Sequence, residues 1–195
     1  MKTVIVYNHP YDGSYCHAIL EATIKGIEQA GGTVDLIDLD KDGFNPVMNG
    51  QDLLGFRNHE IIDPKAKEYA ERLKQADQLV FIFPIWWELM PAITKGFIDK
   101  VIFPGYAYNY TKSGYGMTTL LSNLKATTVI TTMNTPKILY NTYFGAAISK
   151  ALVRGTLKKT GLRNVKWISF NQVKASKEST RKQWLLKIEN YFAKK

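Results

Sequence analysis

The sequence predicts a doubly wound α/β fold with a parallel sheet, and three observations carry that expectation. Five short apolar, β-branched segments recur along the 195 residues: 3–7, 33–39, 79–83, 127–132 and 165–170. Helical patterns lie between them, so strand and helix alternate five times. The first, third and fourth segments are nearly continuous apolar runs, as expected of strands covered by helices on both faces.

Residues 3–7 form the first strand. Residues 14–30 then place Ile19, Ala22, Thr23 and Ile27 along one stripe and stop at Gly31-Gly32, a helix-ending signal. After the second strand, Asp63-Pro64 opens a helix, with Asp as cap and Pro at the first helical position. That helix carries Ala66, Tyr69, Ala70, Leu73 and Ala76 inward. The third strand leads to a helix that starts at Pro91 and shows Ile93, Phe97, Ile98 and Val101. A helix over 142–159 follows the fourth strand. The last helix, 177–193, turns Trp184, Leu185, Ile188 and Phe192 to one side. No repeat or linker interrupts the pattern, so residues 1–195 are expected to form a single domain. Two connections, 40–62 and 103–126, are long and weakly patterned, and loops of that length in compact α/β domains are usually functional.

Composition narrows the function classes. No apolar run is long enough to span a bilayer, and the N-terminus lacks a signal-peptide core. One cysteine, Cys16, rules out an internal disulfide, so the expected compartment is the cytoplasm. The net charge of +9 is uneven: residues 150–195 carry +11 and residues 1–149 carry −2. No nucleic-acid motif accompanies the basic third, so a solvated basic face outweighs nucleic-acid binding. No metal site is expected.

In an open parallel sheet, ligands bind beyond the carboxyl ends of the strands. Three strand ends here carry unusual residues. After the first strand, "NHPYDGSYCH" (8–17) is a small polar loop running into a helix start, where free N–H groups and the helix dipole favour an anion. Ser14 can donate a hydroxyl there and His9 a ring N–H. Neither GxxxxGK[ST] nor GxGxxG is present, which argues against a nucleoside-triphosphate loop or a dinucleotide fingerprint. After the third strand, "PIWWELMP" (84–91) is stiffened by prolines at both ends and offers two indole rings, Trp86 and Trp87, to a planar heterocycle. One of the two tryptophans is expected to fill core beneath the loop, because adjacent side chains point apart. After the fourth strand, Thr131, Thr132, Met133 and Asn134 complete a polar rim. Alternating Tyr106, Tyr108 and Tyr110 either line a cleft, form a half-buried strand or make a dimer contact.

The run "FPIWWELMPAITKGFIDKVIFPGYAYNY" (83–110) resembles the signature of the flavodoxin-like NAD(P)H:quinone oxidoreductases, the DT-diaphorase group and its shorter bacterial relatives. The "NHPYDGSY" loop and the "TVITT" strand fall at matching places. The resemblance implies a five-stranded sheet in the order 2-1-3-4-5 with helices on both faces, a noncovalent flavin, and a homodimer with shared active sites. Carried over by position, His9, Ser14, Tyr15 and Cys16 surround the flavin phosphate. Pro84, Ile85, Trp86, Trp87 and Glu88 flank the ring, and Thr131, Thr132, Met133 and Asn134 cover its other edge. Main-chain N–H groups of the 84–91 loop would stabilise negative charge on the reduced ring. Tyr108 and Tyr110 face the substrate from the partner subunit.

The implied activity is two-electron transfer from NAD(P)H through FMN to a quinone or similar electrophile. FMN is preferred to FAD because the chain is short and shows no adenine pocket. The sequence departs from the family pattern at Glu88, where a small or aromatic residue is common, and at Met133-Asn134, which replaces a Gly-Gly pair. A carboxylate beside the ring would oppose an anionic reduced flavin unless it points to solvent or to a cation. No His follows the third loop, so Tyr140 or Tyr143 is the candidate proton donor, with water as the alternative. The rival readings are a flavodoxin-type electron carrier and a regulatory subunit of a membrane transport system, attached peripherally to a membrane partner.

Overall fold

The computed structural model describes residues 1–194. Along the chain run β1 (Lys2–Tyr7), α1 (Tyr15–Gln29), β2 (Thr33–Asp38), α2 (Gly50–Asn58), α3 (Pro64–Lys74), β3 (Gln78–Pro84), α4 (Ala92–Val101), β4 (Tyr108–Tyr110), β5 (Met117–Thr119), β6 (Ala126–Thr132), α5 (Lys137–Asn141), a π-helix (Ile148–Lys158), β7 (Val165–Phe170) and α6 (Glu178–Ala193). Five strands form one parallel sheet in the order β2-β1-β3-β6-β7. That is the expected 2-1-3-4-5 order, because β4 and β5 pair only with each other as a small antiparallel hairpin.

Alternation along the strands feeds two cores. Val4, Val6, Leu79, Phe81, Phe83 and Val129 face one side, where they meet α3, α4 and the π-helix through Leu73, Phe97, Leu152 and Leu157. Ile5, Tyr7, Val80, Ile82 and Ile130 face the other and meet α1 and α6 through Ile19, Ile27, Ile188 and Phe192. Successive residues on a strand point to opposite faces, so a continuous apolar run can fill both cores. Among the described residues, no helix is long and apolar enough to cross a membrane.

Three local expectations are corrected. The helix expected over 142–159 is broken: α5 ends at Asn141, and Gly145 and Ala146 turn through positive φ (73° and 52°) before the π-helix begins. Tyr143 and Phe144, just before that turn, are exposed. The long 40–62 connection contains a helix, α2. Asn49 and Asp52 close a reciprocal capping box at its start. The 103–126 connection contains the β4–β5 hairpin.

Candidate functional site

The carboxyl ends of β1, β3, β6 and β7 meet at one cleft of about 270 Å³, lined by His9, Pro84, Ile85, Trp86, Thr132, Met133, Asn134, Val173 and Lys174. At that volume the cleft lies at the lower end of the range typical of small-molecule sites.

The β1–α1 loop forms one wall. Ser14 caps α1 by accepting from the N–H of His17 (3.1 Å). The first-turn N–H groups of Tyr15 and Cys16 have no intrahelical acceptor, so the helix start is open to an anion. The Tyr7 hydroxyl and His17 Nδ1 are buried without a hydrogen bond of normal length, with Ser14 against the first and Asp12 Oδ1 3.8 Å from the second. Unmet buried polar atoms at a helix start are what an anionic group or its water shell would satisfy. His9 Nδ1 accepts from the N–H of Tyr11 (3.1 Å), so its neutral ring carries the proton on Nε2. Burial lowers the His9 pKa, outweighing the opposing charge of Asp40. The Tyr15 and Cys16 side chains serve packing. The Tyr15 hydroxyl donates to the Arg181 carbonyl (2.9 Å). Cys16 Sγ lies 3.2 Å from Thr132 Oγ1, and burial pushes the thiol up to about 11.

The loop after β3 is a two-residue hairpin. The Trp86 N–H donates to the Leu89 carbonyl (2.9 Å) and the Leu89 N–H to the Trp86 carbonyl (3.1 Å). Trp87 and Glu88 at its tip have φ of 49° and 62°. Positive φ at both central positions defines a type I′ turn, which normally takes Asn-Gly; side-chain-bearing residues there cost of order 1–3 kcal/mol each. Prolines at 84 and 91 bracket the turn, and the Ile85 N–H clips it to the Thr132 carbonyl (2.8 Å).

The turn separates the two tryptophans. Trp86 lines the cleft, 47% exposed, 6.3 Å from the His9 ring. Trp87 points away, 97% exposed. Neither fills core, which corrects the expectation that one would, and Trp87 does not line the cleft. The N–H groups of Ile85, Trp86 and Leu89 are spent within the protein; those of Trp87 and Glu88 have no acceptor among the described residues.

The β6 loop is held from both sides. The Met133 N–H donates to Phe170, and the Trp167 indole donates to Thr131 Oγ1 (both 2.9 Å). Asn134 Oδ1 accepts from the Lys174 N–H (3.0 Å). Val173 and Lys174 were missed in the sequence, although "NQVKAS" follows a strand at the same carboxyl edge and the rule that flagged the other loops applies to it.

Tyr140, the expected proton donor, is committed to structural hydrogen bonds. It is fully buried; its hydroxyl donates to the Glu88 carbonyl (3.2 Å) and accepts from the Ile148 N–H (2.9 Å). Burial also raises its pKa, with the Glu88 charge adding to the effect. Tyr108 is likewise packed into its own chain's core, and burial drives its phenol well above the usual range, whereas Tyr110 is 45% exposed. Their rings meet edge to face at 5.5 Å, so the pair shares one face of β4, and of the two only Tyr110 presents a large free surface.

Comparison with known proteins agrees with this architecture. A family model described as "Flavodoxin-like fold" matches residues 1–192. A protein of Haemophilus influenzae named "Uncharacterized NAD(P)H oxidoreductase" is 27% identical over 183 residues, covering 93% of this chain and 89% of that one. The Smu.1420 protein of Streptococcus mutans superposes with a TM-score of 0.86 at 30% identity over all of both chains. The NAD(P)H:quinone oxidoreductase of Methanothermobacter marburgensis gives 0.86 at 26% identity, covering 99% and 98% of the two chains. With a parallel sheet in flavodoxin order and a cleft at its carboxyl edge, the chain belongs to the flavodoxin-like fold family, among relatives named as NAD(P)H oxidoreductases and quinone reductases.

Proposed function

We propose that this chain is a flavin-dependent NAD(P)H oxidoreductase that reduces a quinone or similar electrophile and works as a homodimer. One observation carries the reading: strand-end loops far apart in sequence close on a single aromatic, proline-walled cleft beside an open helix start. The relatives' names support the same chemistry.

The residues present fit FMN. The N–H groups of Tyr15 and Cys16, the Ser14 hydroxyl and His9 Nε2–H would hold its phosphate at the start of α1. Pro84, Ile85 and Trp86 would wall one side of the ring, and Thr132, Met133 and Asn134 the other. Trp87 and Glu88 would contribute main-chain N–H groups rather than side-chain walls. When bound, FMN supplies two-electron hydride chemistry between NAD(P)H and the electrophile. The chain's own part is to fix the cleft, exclude water with Trp86 and Met133, and keep His9 neutral near pH 7 as a hydrogen-bond donor. With Tyr140 buried, the proton comes from solvent or from Tyr143, which is exposed. Tyr110, being exposed, would be the tyrosine that reaches a second chain.

The purified protein should be yellow or take up FMN at one per chain, with a rise in Tm, and should oxidise NADH or NADPH only when a quinone is present. A colourless protein whose Tm ignores FMN sinks the reading, since a ligand of the native state must stabilise it.

A further inference from the structure

Glu88 is the one acidic residue on the 84–91 loop, and its side chain is neither solvent-directed nor ion-paired. Oε1 accepts from the Thr135 hydroxyl at 2.6 Å. Oε2 is buried with no hydrogen-bond partner. Its main-chain carbonyl accepts from Tyr140, whose hydroxyl is itself held by the Ile148 N–H. Among the described residues no Lys or Arg lies within ion-pair distance of Glu88. This residue also sits at positive φ, on the strained side of the hairpin that presents Trp86 to the cleft. A strained turn persists only where its surroundings over-determine it. Beyond the Ile85–Thr132 bond at its base, two contacts through one residue hold the tip: the side chain to the β6 loop and the carbonyl to the buried Tyr140.

We propose that Glu88 is a positioning residue: it pins the strained Trp87-Glu88 turn to Thr135 of the opposite site loop, and its un-neutralised carboxylate makes the cleft less tolerant of added negative charge. The pin holds Trp86 at the cleft wall. The charge lowers the midpoint potential of an electron carrier bound there, because reduction adds negative charge near a carboxylate that no cation offsets. This second consequence rests on the proposed flavin function; the pin does not.

The test uses the purified full chain and its Glu88→Gln, Glu88→Ala and Thr135→Val variants, with and without FMN. Amide hydrogen exchange at Leu89, whose N–H closes the turn, should rise about tenfold in Glu88→Ala and Thr135→Val, matching the loss of a charge-assisted hydrogen bond. Glu88→Gln keeps an acceptor for Thr135 and should stay within about threefold of wild type on the same scale. The double variant Glu88→Ala/Thr135→Val should be no worse than either single variant, as expected when both remove the same bond. In the FMN-loaded protein, Glu88→Gln should move the midpoint potential positive, which by linkage means tighter binding of reduced relative to oxidised FMN. Unchanged Leu89 exchange in both Glu88→Ala and Thr135→Val overturns the pin. A potential in Glu88→Gln equal to wild type overturns the electrostatic role. If the wild-type protein binds no FMN, the proposed function and the electrostatic role fail together, and the exchange measurements still decide the pin.

Discussion

Two connections leave the same carboxyl edge of the sheet and are built on opposite principles. The loop after β3 is short, strained and aromatic: a type I′ turn without glycine, carrying one half-exposed and one fully exposed tryptophan. The connection after β2, residues 39–63, is long and stitched down. Lys100 of α4 is 3% exposed; its amine pairs with Asp63, lies 3.7 Å from Asp52 and donates to the Asn45 carbonyl at 3.2 Å. Tyr69 of α3 donates to Asp42 at 2.6 Å. Pro46 packs against Gly96 so closely that a Cβ there would come within 2.3 Å of it. The long segment matched the usual profile of a functional loop, yet Asp42, Asp52 and Asp63 are consumed in holding it to the core, while Leu53, Leu54, Phe56 and Ile62 stay exposed. The short one exposes two tryptophans and sets two consecutive residues, Trp87 and Glu88, at positive φ, where the long one has His59 alone among its non-glycine residues. Residue chemistry and consecutive strained positions, more than length, mark the connection that lines the cleft.

The largest effect that would break this contrast is at Lys100. Lys100→Ala leaves Asp63 and Asp52 without their buried cation and should cost about 3–5 kcal/mol of stability by urea or thermal unfolding. FMN affinity, measured on the protein that remains folded, should stay unchanged. A large loss of FMN affinity would show that the long connection shapes the site after all.

Tyr108→Ala tests the second hairpin in the same way. A buried aromatic truncated to alanine costs about 3–5 kcal/mol, so this variant should lose stability, whereas Tyr110→Ala should not. In mixed dimers with a flavin-site variant, Tyr110→Ala is then the clean probe of a shared active site. Recovery of quinone reduction on verified subunit exchange supports sharing, and none on exchange rejects it.

The tryptophan pair sharpens the functional side. Trp86→Ala should weaken FMN binding by about tenfold to a hundredfold, the size of one lost aromatic stacking contact, with little change in apoprotein stability. Trp87→Gly should leave FMN affinity nearly unchanged. It relieves one positive-φ residue but adds unfolded-state entropy, so apoprotein stability should change by less than about 1 kcal/mol. Equal losses of FMN affinity in both variants would contradict the division of labour at the turn.

The smallest expected effect is the pH dependence of the stitched connection. Burial would raise the Asp63 carboxyl, but the Lys100 amine and the N–H groups of Ala66 and Lys65 outweigh it and hold the pKa below the usual 3.8. A carboxyl depressed in the folded state contributes stability above its unfolded pKa and loses it as pH falls through the folded value. Acid titration of stability below about pH 4 should therefore show this loss in wild type and a smaller one in Lys100→Ala. His9 is shifted the same way for a base: its folded pKa is lowered by burial, so its contribution is full above pH 6.5 and declines as the unfolded ring protonates below that.

The fold and the location of the cleft were determined by sequence alone. Strands covered on both faces must be apolar at every position, so "LVFIF" and its counterparts could be read directly, and the strand-end rule then pointed to the 8–17, 84–91 and 131–136 loops. Helix ends with a side-chain cap, such as Asp63-Pro64 and Ser14, were equally legible because the signal lies within three residues of the feature. What the side chains at the cleft do was decided by the tertiary structure. Trp86 and Trp87 are neighbours in sequence, and which one faces the cleft depends on a positive-φ turn held by Thr135 and Tyr140, some fifty residues away. Tyr140 could be read as a proton donor until its hydroxyl proved committed to Glu88 and Ile148. Tyr108 and Tyr110 looked equivalent until the hairpin buried one and left the other exposed. Periodicity reports burial where the backbone repeats; in a turn the side-chain direction follows from long-range contacts, and no local pattern encodes those.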